Sequence, residues 1–266
     1  MGQNIAHVIG KGKRQFRVGG NKLRRNPLNL LYANECLDMD SLWLRFFNKY
    51  LAYHGAQNAI SLNPGSASRY ERLCGPVGRH LSIQTTGPLV SVIMPLFDAS
   101  ATLRKAAQSI LDQTWQNIEL ILVDDLSQDN SLQIAHDLQN QDARVKVLAL
   151  NTNGGPYVAK NVGLTVAKGQ YLTVHDADDW AFPTRIAQQL QPLIQAKAPG
   201  LAVSMGRTLR CDMNGQFFAF HHRCLTVRIS TKSWALGTVC ALGQMQKFSR
   251  EFAGLTPVLC RFWTPQ

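Results

Sequence analysis

The stretch Tyr171-Leu172-Thr173-Val174-His175-Asp176-Ala177-Asp178-Asp179-Trp180 couples a short apolar run to three carboxylates within four residues. Tyr171 to Val174 reads as a buried strand, so the aspartates leave its carboxyl end together. Carboxylates repel one another, and gathering them at a strand end is useful when something positive sits there. A divalent cation holding a diphosphate is such a partner. Mn²⁺ and Mg²⁺ are hard ions that take one or two carboxylates together with phosphate oxygens. The competing reading is ordinary, since aspartate-rich turns also cap helices. The motif alone leaves the two level; the sequence upstream separates them.

Leu89-Val90-Ser91-Val92-Ile93-Met94-Pro95 is an apolar run ending at proline, as a buried parallel strand would. Leu103, Ala106, Ala107, Ile110 and Leu111 then share one helical face. Ile118 to Val123 is a second apolar strand, followed by Asp124-Asp125-Leu126-Ser127-Gln128-Asp129. Leu132, Ile134, Ala135 and Leu138 mark a second helix, and Val145 to Leu150 a third strand. Gly154-Gly155-Pro156 opens a third helix through Ala167, with Gly169 in the place of a C-cap glycine. The fourth strand delivers the aspartates. This β-α-β-α-β-α-β order predicts an α/β fold, a Rossmann-like, mostly parallel sheet with flanking helices. Ligands bind such sheets at the carboxyl ends of strands. Asp98, Asp124, Asp125, Asp176, Asp178 and Asp179 all fall there.

Four motifs in this order resemble the nucleotide-sugar-binding half of inverting family 2 glycosyltransferases, which have the GT-A (nucleotide-diphospho-sugar transferase) fold. They are Val90-Ser91-Val92-Ile93-Met94-Pro95; Val123-Asp124-Asp125 with Ser127 and Asp129; Asn153, Gly155, Ala159, Asn161 and Gly163; and Asp176-Ala177-Asp178-Asp179. The resemblance is strong from about Val90 to Ile186 and weaker to about Phe220. Lys160 stands where the family more often has arginine, keeping the charge but losing the bidentate fork. Asp98 stands where asparagine is commoner.

The resemblance implies an enzyme of cell-surface polysaccharide biosynthesis, one that moves a sugar from a nucleotide-diphospho-sugar donor to an acceptor hydroxyl by metal-assisted inverting displacement. The acceptor would be a glycan or a lipid-linked glycan, and the cofactor Mn²⁺ or Mg²⁺. It places the donor nucleotide on Pro95, Asp98, Asp124, Asp125, Gly155, Lys160 and Asp176. In the Asp-x-Asp signature, Asp178 is the direct metal ligand and Asp176 lies nearer the ribose or the metal's water shell. Asp124 or Asp125 accepts the imide N–H of a uracil-like base. Asp129 caps the helix beginning near Asn130, and Asp179 is open to capping the helix whose start Pro183 marks. Gly154 and Gly155 allow close backbone approach at a helix N-terminus, which favours an anion, with an ordinary tight turn as the alternative. His175 reads as a packed strand-end residue. The family draws its catalytic base from a later acidic motif. Here Glu251 is the only carboxylate beyond Asp212 and a weak candidate, because Arg250 and Phe252 show no family pattern. The alternative expectation is an inactive nucleotide-sugar-binding remnant.

With 266 residues, 45% apolar and 17% charged, the chain suits one large domain with an extension. Residues 1–87 read as a basic arm, an amphipathic helix and a linker; 88–226 as the nucleotide-sugar domain; 227–266 as an atypical tail. Much of the net charge of +11 lies in the arm, where Lys11, Lys13, Arg14, Arg17, Lys22, Arg24 and Arg25 precede the first acidic residue, Glu35. Such an arm suits anionic lipid headgroups; no nucleic-acid partner is expected. Asp40 to His54 carries Leu42, Leu44, Phe46, Phe47 and Leu51 at helical spacing and reads as a docking helix. Asn63 to Gly87 is punctuated by Gly, Pro and Ser and reads as a linker. No apolar run reaches the length of a membrane span, and the N-terminus lacks the apolar core of a signal peptide. Six cysteines without a Cys-x-x-Cys pair fit a reducing compartment. The expected location is cytoplasmic, with peripheral membrane contact through the arm. A sugar nucleotidyltransferase would open with a Gly-rich loop after the first strand; Leu96-Phe97-Asp98-Ala99-Ser100 argues against one.

After the aspartates, Pro183 to Ile194 reads as a helix and Leu201 to Leu209 as a strand. Asn214-Gly215 reads as the turn of a hairpin to Phe217–Phe220. The family pattern then stops near Thr226. Reading the codons of Leu236 to Phe248 two bases later permits Trp-Asp-Ser-Val-Arg-Ala-Gly-Ala-Asp-Ala-Glu-Ile, which resembles the family's approach to its acidic motif. The expectation is a frameshift near Arg228 that truncates the family sequence; codons unable to spell that string would remove it.

Overall fold

The computed structural model describes residues 26–53, 60–75, 83–195, 202–219, 223–228 and 258–263. The basic arm before residue 26, Leu236 to Phe248 and Glu251 lie outside them. The chain divides into two compact units, one from Met1–Gly78, Arg210–Ala219 and Phe262–Gln266, the other from Arg79–Leu209 and Phe220–Arg261.

In the first unit, α1 (Asn26–Asn34) packs on α2 (Asp40–Tyr53). The apolar spacing of α2 is helical, and Trp43, Phe47, Tyr50 and Leu51 form its buried stripe. Trp43 Nε1 donates to the Gly215 carbonyl at 2.9 Å, and its ring stacks on Phe217 with centroids 5.7 Å apart. Asn34 exchanges hydrogen bonds with the Phe217 backbone at 2.7 and 2.8 Å. The docking partner of the amphipathic helix is therefore the hairpin at Asn214-Gly215. The linker expected from Asn63 to Gly87 needs correction. β1 (Ser61–Leu62) pairs antiparallel with β2 (Leu73–Cys74), and between them α3 (Arg69–Arg72) is closed by a Ser68–Glu71 capping box. Arg69 is buried and donates to the carbonyls of Leu37 (2.5 Å) and Asn214 (2.6 Å) and to Asp40 (3.0 Å). Further on, Gln84 exchanges backbone hydrogen bonds with Thr114 and Gln116 in the second unit. The Gly, Pro and Ser residues mark one turn, and buried side chains fasten the rest.

In the second unit, β3 (Val90–Leu96), β4 (Ile118–Asp124), β5 (Val145–Ala149) and β6 (Tyr171–Val174) are parallel, in the order β5-β4-β3-β6. The connecting helices are α4 (Leu103–Leu111), α5 (Ser131–Gln141) and α6 (Pro156–Val166). Both sheet faces are covered, which is why the strands read as apolar runs rather than alternations. Val90, Val92, Met94 and Leu96 meet residues of α4 and α5, while Ile93 meets Ala159 and Leu164 of α6. Each such fully buried side chain contributes roughly 1.5–3 kcal/mol. Pro95 lies beyond the last residue of β3 paired with β6, so its missing N–H breaks no bond on that side.

Gly169 is not a C-cap. α6 ends at Ala167, whose backbone is extended. A Cβ on Gly169 would sit 2.6 Å from the Ser91 backbone nitrogen, so close approach, not a left-handed turn, demands glycine there. After the aspartates come β7 (Asp179–Ala181) and α7 (Arg185–Gln195). β8 (Ala202–Asp212) runs on from the sheet into the first unit, where β9 (Phe217–Ala219) pairs with its end. β10 (Arg223–Arg228) lies antiparallel between β6 and β8, and β11 (Val258–Trp263) is antiparallel to β7.

Candidate functional site

The parallel strands run outward from β3 in both directions, through β4 and β5 on one side and to β6 on the other. The order of connection reverses between β3 and β6, and the crevice beyond the carboxyl ends of such a pair is where ligands bind in open α/β sheets. Loops after β3, β4 and β6 converge on it.

The loops after β3 and β4 are laced together. Asp98 Oδ1 accepts the Gln128 and Asp129 amides at 2.7 and 3.3 Å, and its own amide donates to Ser127 Oγ. Asp98 (φ 48°) and Leu126 (φ 65°) both occupy the left-handed region. That is easy for an aspartate and costly for leucine, and such strain gathers at functional loops. Asp129 accepts the Ser131 amide at 2.8 Å and the Ser100 amide at 2.9 Å, so it caps the helix start as its position suggested. Partial desolvation pushes its pKa up, but the hydrogen bonds from Ser131 and Ser100 outweigh that and hold it at about 2.

The structure separates Asp124 from Asp125. Both oxygens of Asp125 are engaged by the Gly154 and Gly155 amides, at 2.8 and 2.7 Å. The anion at the start of α6 is thus the chain's own carboxylate. Gly155 (φ 81°) supplies the turn that presents those amides. Asp124 is 2% exposed, and its Oδ2 accepts the Ser127 amide at 3.2 Å. Its buried Oδ1 has no hydrogen-bond partner among the described residues. A buried carboxylate oxygen left so is costly unless a ligand donor meets it. Asn161 Oδ1, on α6, is in the same condition.

Across the switch point, Asp176 and Asp178 are half-buried and Asp179 is buried. Lys160 reaches from α6 to Asp176, Nζ to Oδ1 3.1 Å, which brings two of the expected site residues together. No group of three metal-ligating side chains forms among the described residues. Two hard carboxylates at one loop still suit a cation that takes its remaining ligands from phosphate and water. Asp176 and Asp178 fit that donor set.

Several supporting residues had no place in the motif reading. His175 is buried and packed, as expected, but beneath it lies Arg185, 1% exposed, with Nη1 3.3 Å from His175 Nδ1. Gln113, also buried, binds the loop beyond β7. The signal for Arg185 was present: Arg185 and Gln189 stand inside the apolar stripe Ile186, Leu190, Leu193, and polar residues at helical spacing on a buried face demand partners. Phe97, 48% exposed beside Asp98, is a large aromatic ring at the same rim.

Two other charged features are accounted for internally. In the first unit a polar cleft of about 480 Å³ is lined by Asp38, Asp40, Arg69, Arg72, Asp212 and Gln216, among others. Arg69 and Arg72 both pair with Asp40, and the hydrogen bond from Arg72 holds the Asp40 carboxyl below its usual range. At the start of β4, Glu119 loses solvent, which raises its pKa, but Lys146, Ser91 and the Lys168 amide bring it below the ordinary value. That carboxylate ties the amino ends of the strands and is remote from the crevice by a strand's length.

The profile of "Glycosyl transferase family 2" matches residues 91–251, more than half of the chain. The chain belongs to this family. The match runs past Thr226, so the family pattern extends further than the motifs alone suggested. A glycosyltransferase of Haemophilus influenzae described as uncharacterized is 40% identical over 128 residues, covering 48% of this chain and 50% of that protein. Glycosyltransferase GlyG of Streptococcus pneumoniae is 48% identical over 91 residues, 34% of this chain and 30% of its own. The GalNAc(5)-diNAcBac-PP-undecaprenol beta-1,3-glucosyltransferase of Campylobacter jejuni is 36% identical over 123 residues, 46% and 38%. The chain therefore spans half or less of the length of these relatives. Staphylococcus aureus TarS with UDP-GlcNAc aligns over 46% of this chain and 34% of its own, at 26% identity and a TM-score of 0.38. This family 2 chain is a GT-A protein of the glycosyltransferase class, with the family's parallel sheet in β3 to β6.

Proposed function

We propose that this chain binds a nucleotide-diphospho-sugar in the crevice between β3 and β6 and transfers its sugar to an acceptor hydroxyl with inversion. The observation that carries this is the pairing of two carboxylate centres there. The unengaged oxygen of buried Asp124 stands on one side, and Asp176 and Asp178 stand on the other.

Asp124 Oδ1 accepts the imide N–H of a uracil-type base, and Phe97 offers a ring face for stacking. Asp176 and Asp178 hold Mn²⁺ or Mg²⁺ against the diphosphate, and Lys160 adds a fixed positive charge beside them. When bound, the cation supplies electrostatic stabilisation for the charge developing on the departing diphosphate. The acceptor oxygen attacks the anomeric carbon from the face opposite the diphosphate. The bond to the diphosphate oxygen breaks, and the hydroxyl proton passes to a carboxylate base within hydrogen-bond reach. Glu251 is the only acidic side chain beyond Asp212 and takes that role by elimination. The same scarcity favours a second reading, in which the chain binds the donor but transfers poorly. The acceptor is a glycan or lipid-linked glycan, in line with the undecaprenol-linked substrate in the name of the Campylobacter jejuni relative. The described residues contain no helix long and apolar enough to cross a membrane. Cytoplasmic placement with peripheral contact through the basic arm agrees with that, and no nucleic-acid partner is proposed.

Calorimetric titration of UDP with and without Mn²⁺, followed by a hydrolysis and transfer assay across UDP-sugars, tests both readings. Metal-enhanced UDP binding is expected. Turnover lost in Glu251→Gln would establish the active form, and binding without turnover the second reading. No UDP binding in either condition would end the proposal.

A further inference from the structure

We infer that Arg185, supported by Gln113, is a positioning residue that presets the aspartate loop for the diphosphate and its metal. The inference rests on the donor-binding reading above and concerns how that binding is organised.

One buried guanidinium holds three consecutive residues leading into Asp176. Arg185 Nη2 donates to Thr173 Oγ1 at 2.7 Å and to the Val174 carbonyl at 3.0 Å, and Nη1 lies 3.3 Å from His175 Nδ1. Its Nε donates to Gln189 Oε1 at 3.2 Å, which fixes the guanidinium plane from its own helix. The far side of the loop is held as firmly. Gln113 Nε2 donates to the Phe182 carbonyl at 2.9 Å, and its Oε1 accepts the Ile186 amide at 3.0 Å. Ser109 Oγ accepts the Ala181 amide at 3.0 Å, and the Thr114 amide donates to the Pro183 carbonyl at 2.8 Å. Between these anchors the Asp179 amide closes the turn on the Asp176 carbonyl at 3.1 Å.

Burying a guanidinium costs desolvation energy that a packed apolar residue would avoid, so fold stability alone is a poor reason for Arg185. Three neighbouring aspartates repel one another, and a fixed cation beneath their strand end offsets that. The same forked donor set constrains the backbone from which Asp176 and Asp178 project. Binding groups held in advance lose less freedom when the ligand arrives. Arginine does this where lysine would not, because a point charge cannot address Thr173, Val174 and His175 from one plane.

The test compares Arg185→Lys and Thr173→Val with the parent, using UDP with Mn²⁺, UDP with chelator, and uridine as probes. Thermal unfolding is recorded alongside. Partners behind metal ligands typically change metal affinity about 10–100-fold. Arg185→Lys is expected to weaken Mn²⁺-dependent UDP binding about tenfold or more while leaving uridine binding within about twofold. Thr173→Val keeps a β-branched strand residue and is expected to show the same selective loss at smaller size. It decides the matter if Arg185→Lys does not fold. Equal weakening of UDP and uridine, or no weakening of either, overturns the inference and makes Arg185 a stabilising residue only. Failure of the parent to bind UDP more tightly with Mn²⁺ removes the metal-assisted reading and this inference with it.

Discussion

The loops after β4 and after β6 both bring aspartates to the carboxyl end of the same sheet, yet they are held in opposite ways. The β4 loop lies at the surface. Leu126, Gln128 and Asp129 are exposed, two residues at its rim adopt left-handed backbone, and its bonds run sideways to the β3 loop. The β6 loop is fastened from below by Arg185, Gln113 and Ser109, all buried or nearly so. A bond at the surface is replaced by water when broken, whereas a buried one leaves an unsatisfied group costing about 1–3 kcal/mol. The difference suits a flat base read by one carboxylate on the first side and a charged diphosphate needing fixed partners on the second.

The largest expected effect breaks the comparison at its second member. Asp178→Ala should remove the Mn²⁺-dependent part of UDP binding, roughly a 100-fold loss, the upper range known for groups around metals. Uridine binding should be unchanged, and Asp179→Ala should mainly lower thermal stability. Calorimetry with both ligands checks this; a parallel loss for uridine would mean the loop supports the whole crevice.

Next in size, Gln113→Leu should lower stability by about 3 kcal/mol, since it orphans the Ile186 amide and Phe182 carbonyl inside the fold. Ser127→Ala, in the surface loop, should cost less than about 1 kcal/mol. Denaturant unfolding of the two variants measures the contrast directly, and equal costs would erase it.

Asp124→Ala should weaken UDP and uridine alike, by about 10–100-fold, the value of a charge-assisted hydrogen bond of roughly 1.5–3 kcal/mol. Binding of bare pyrophosphate with Mn²⁺ should not change. Loss of pyrophosphate binding would place Asp124 on the phosphate side and collapse the division of labour.

The smallest effect concerns acid. The folded pKa of Asp129, about 2, lies below its ordinary 3.8. Its contribution to the β4 loop is therefore complete above about 3.8 and fades as pH falls toward 2. Asp129 is exposed, so solvent screening keeps that contribution small. An NMR titration of its side-chain carboxyl should show a midpoint near 2; an ordinary midpoint would mean that the caps to Ser100 and Ser131 do not persist in solution.

The parallel sheet was legible because strands buried on both faces must be written as apolar runs, and the runs at Val90, Ile118, Val145 and Tyr171 are all strands. The aspartates at strand ends were legible for the same reason: a polar cluster directly after such a run can only lie at its end. The segment 61–74 was misread because capping boxes and buried arginines use the same Ser, Gly and Arg that mark linkers. Gly169 was misread because glycine one turn past a helix looks alike whether it serves a left-handed cap or a close contact with another strand.

By itself the sequence determined the order of strands and helices, the family, and the six aspartates at the mouth of the sheet, since these follow from local periodicity and spacing. Only the tertiary structure decided which of two adjacent aspartates is spent. Asp125 meets the Gly154 and Gly155 amides, while Asp124 keeps an oxygen unengaged. Only it revealed Arg185 beneath the β6 loop. Hydrogen-bond satisfaction is a property of groups far apart in the chain and close in space, and no spacing along one strand encodes it.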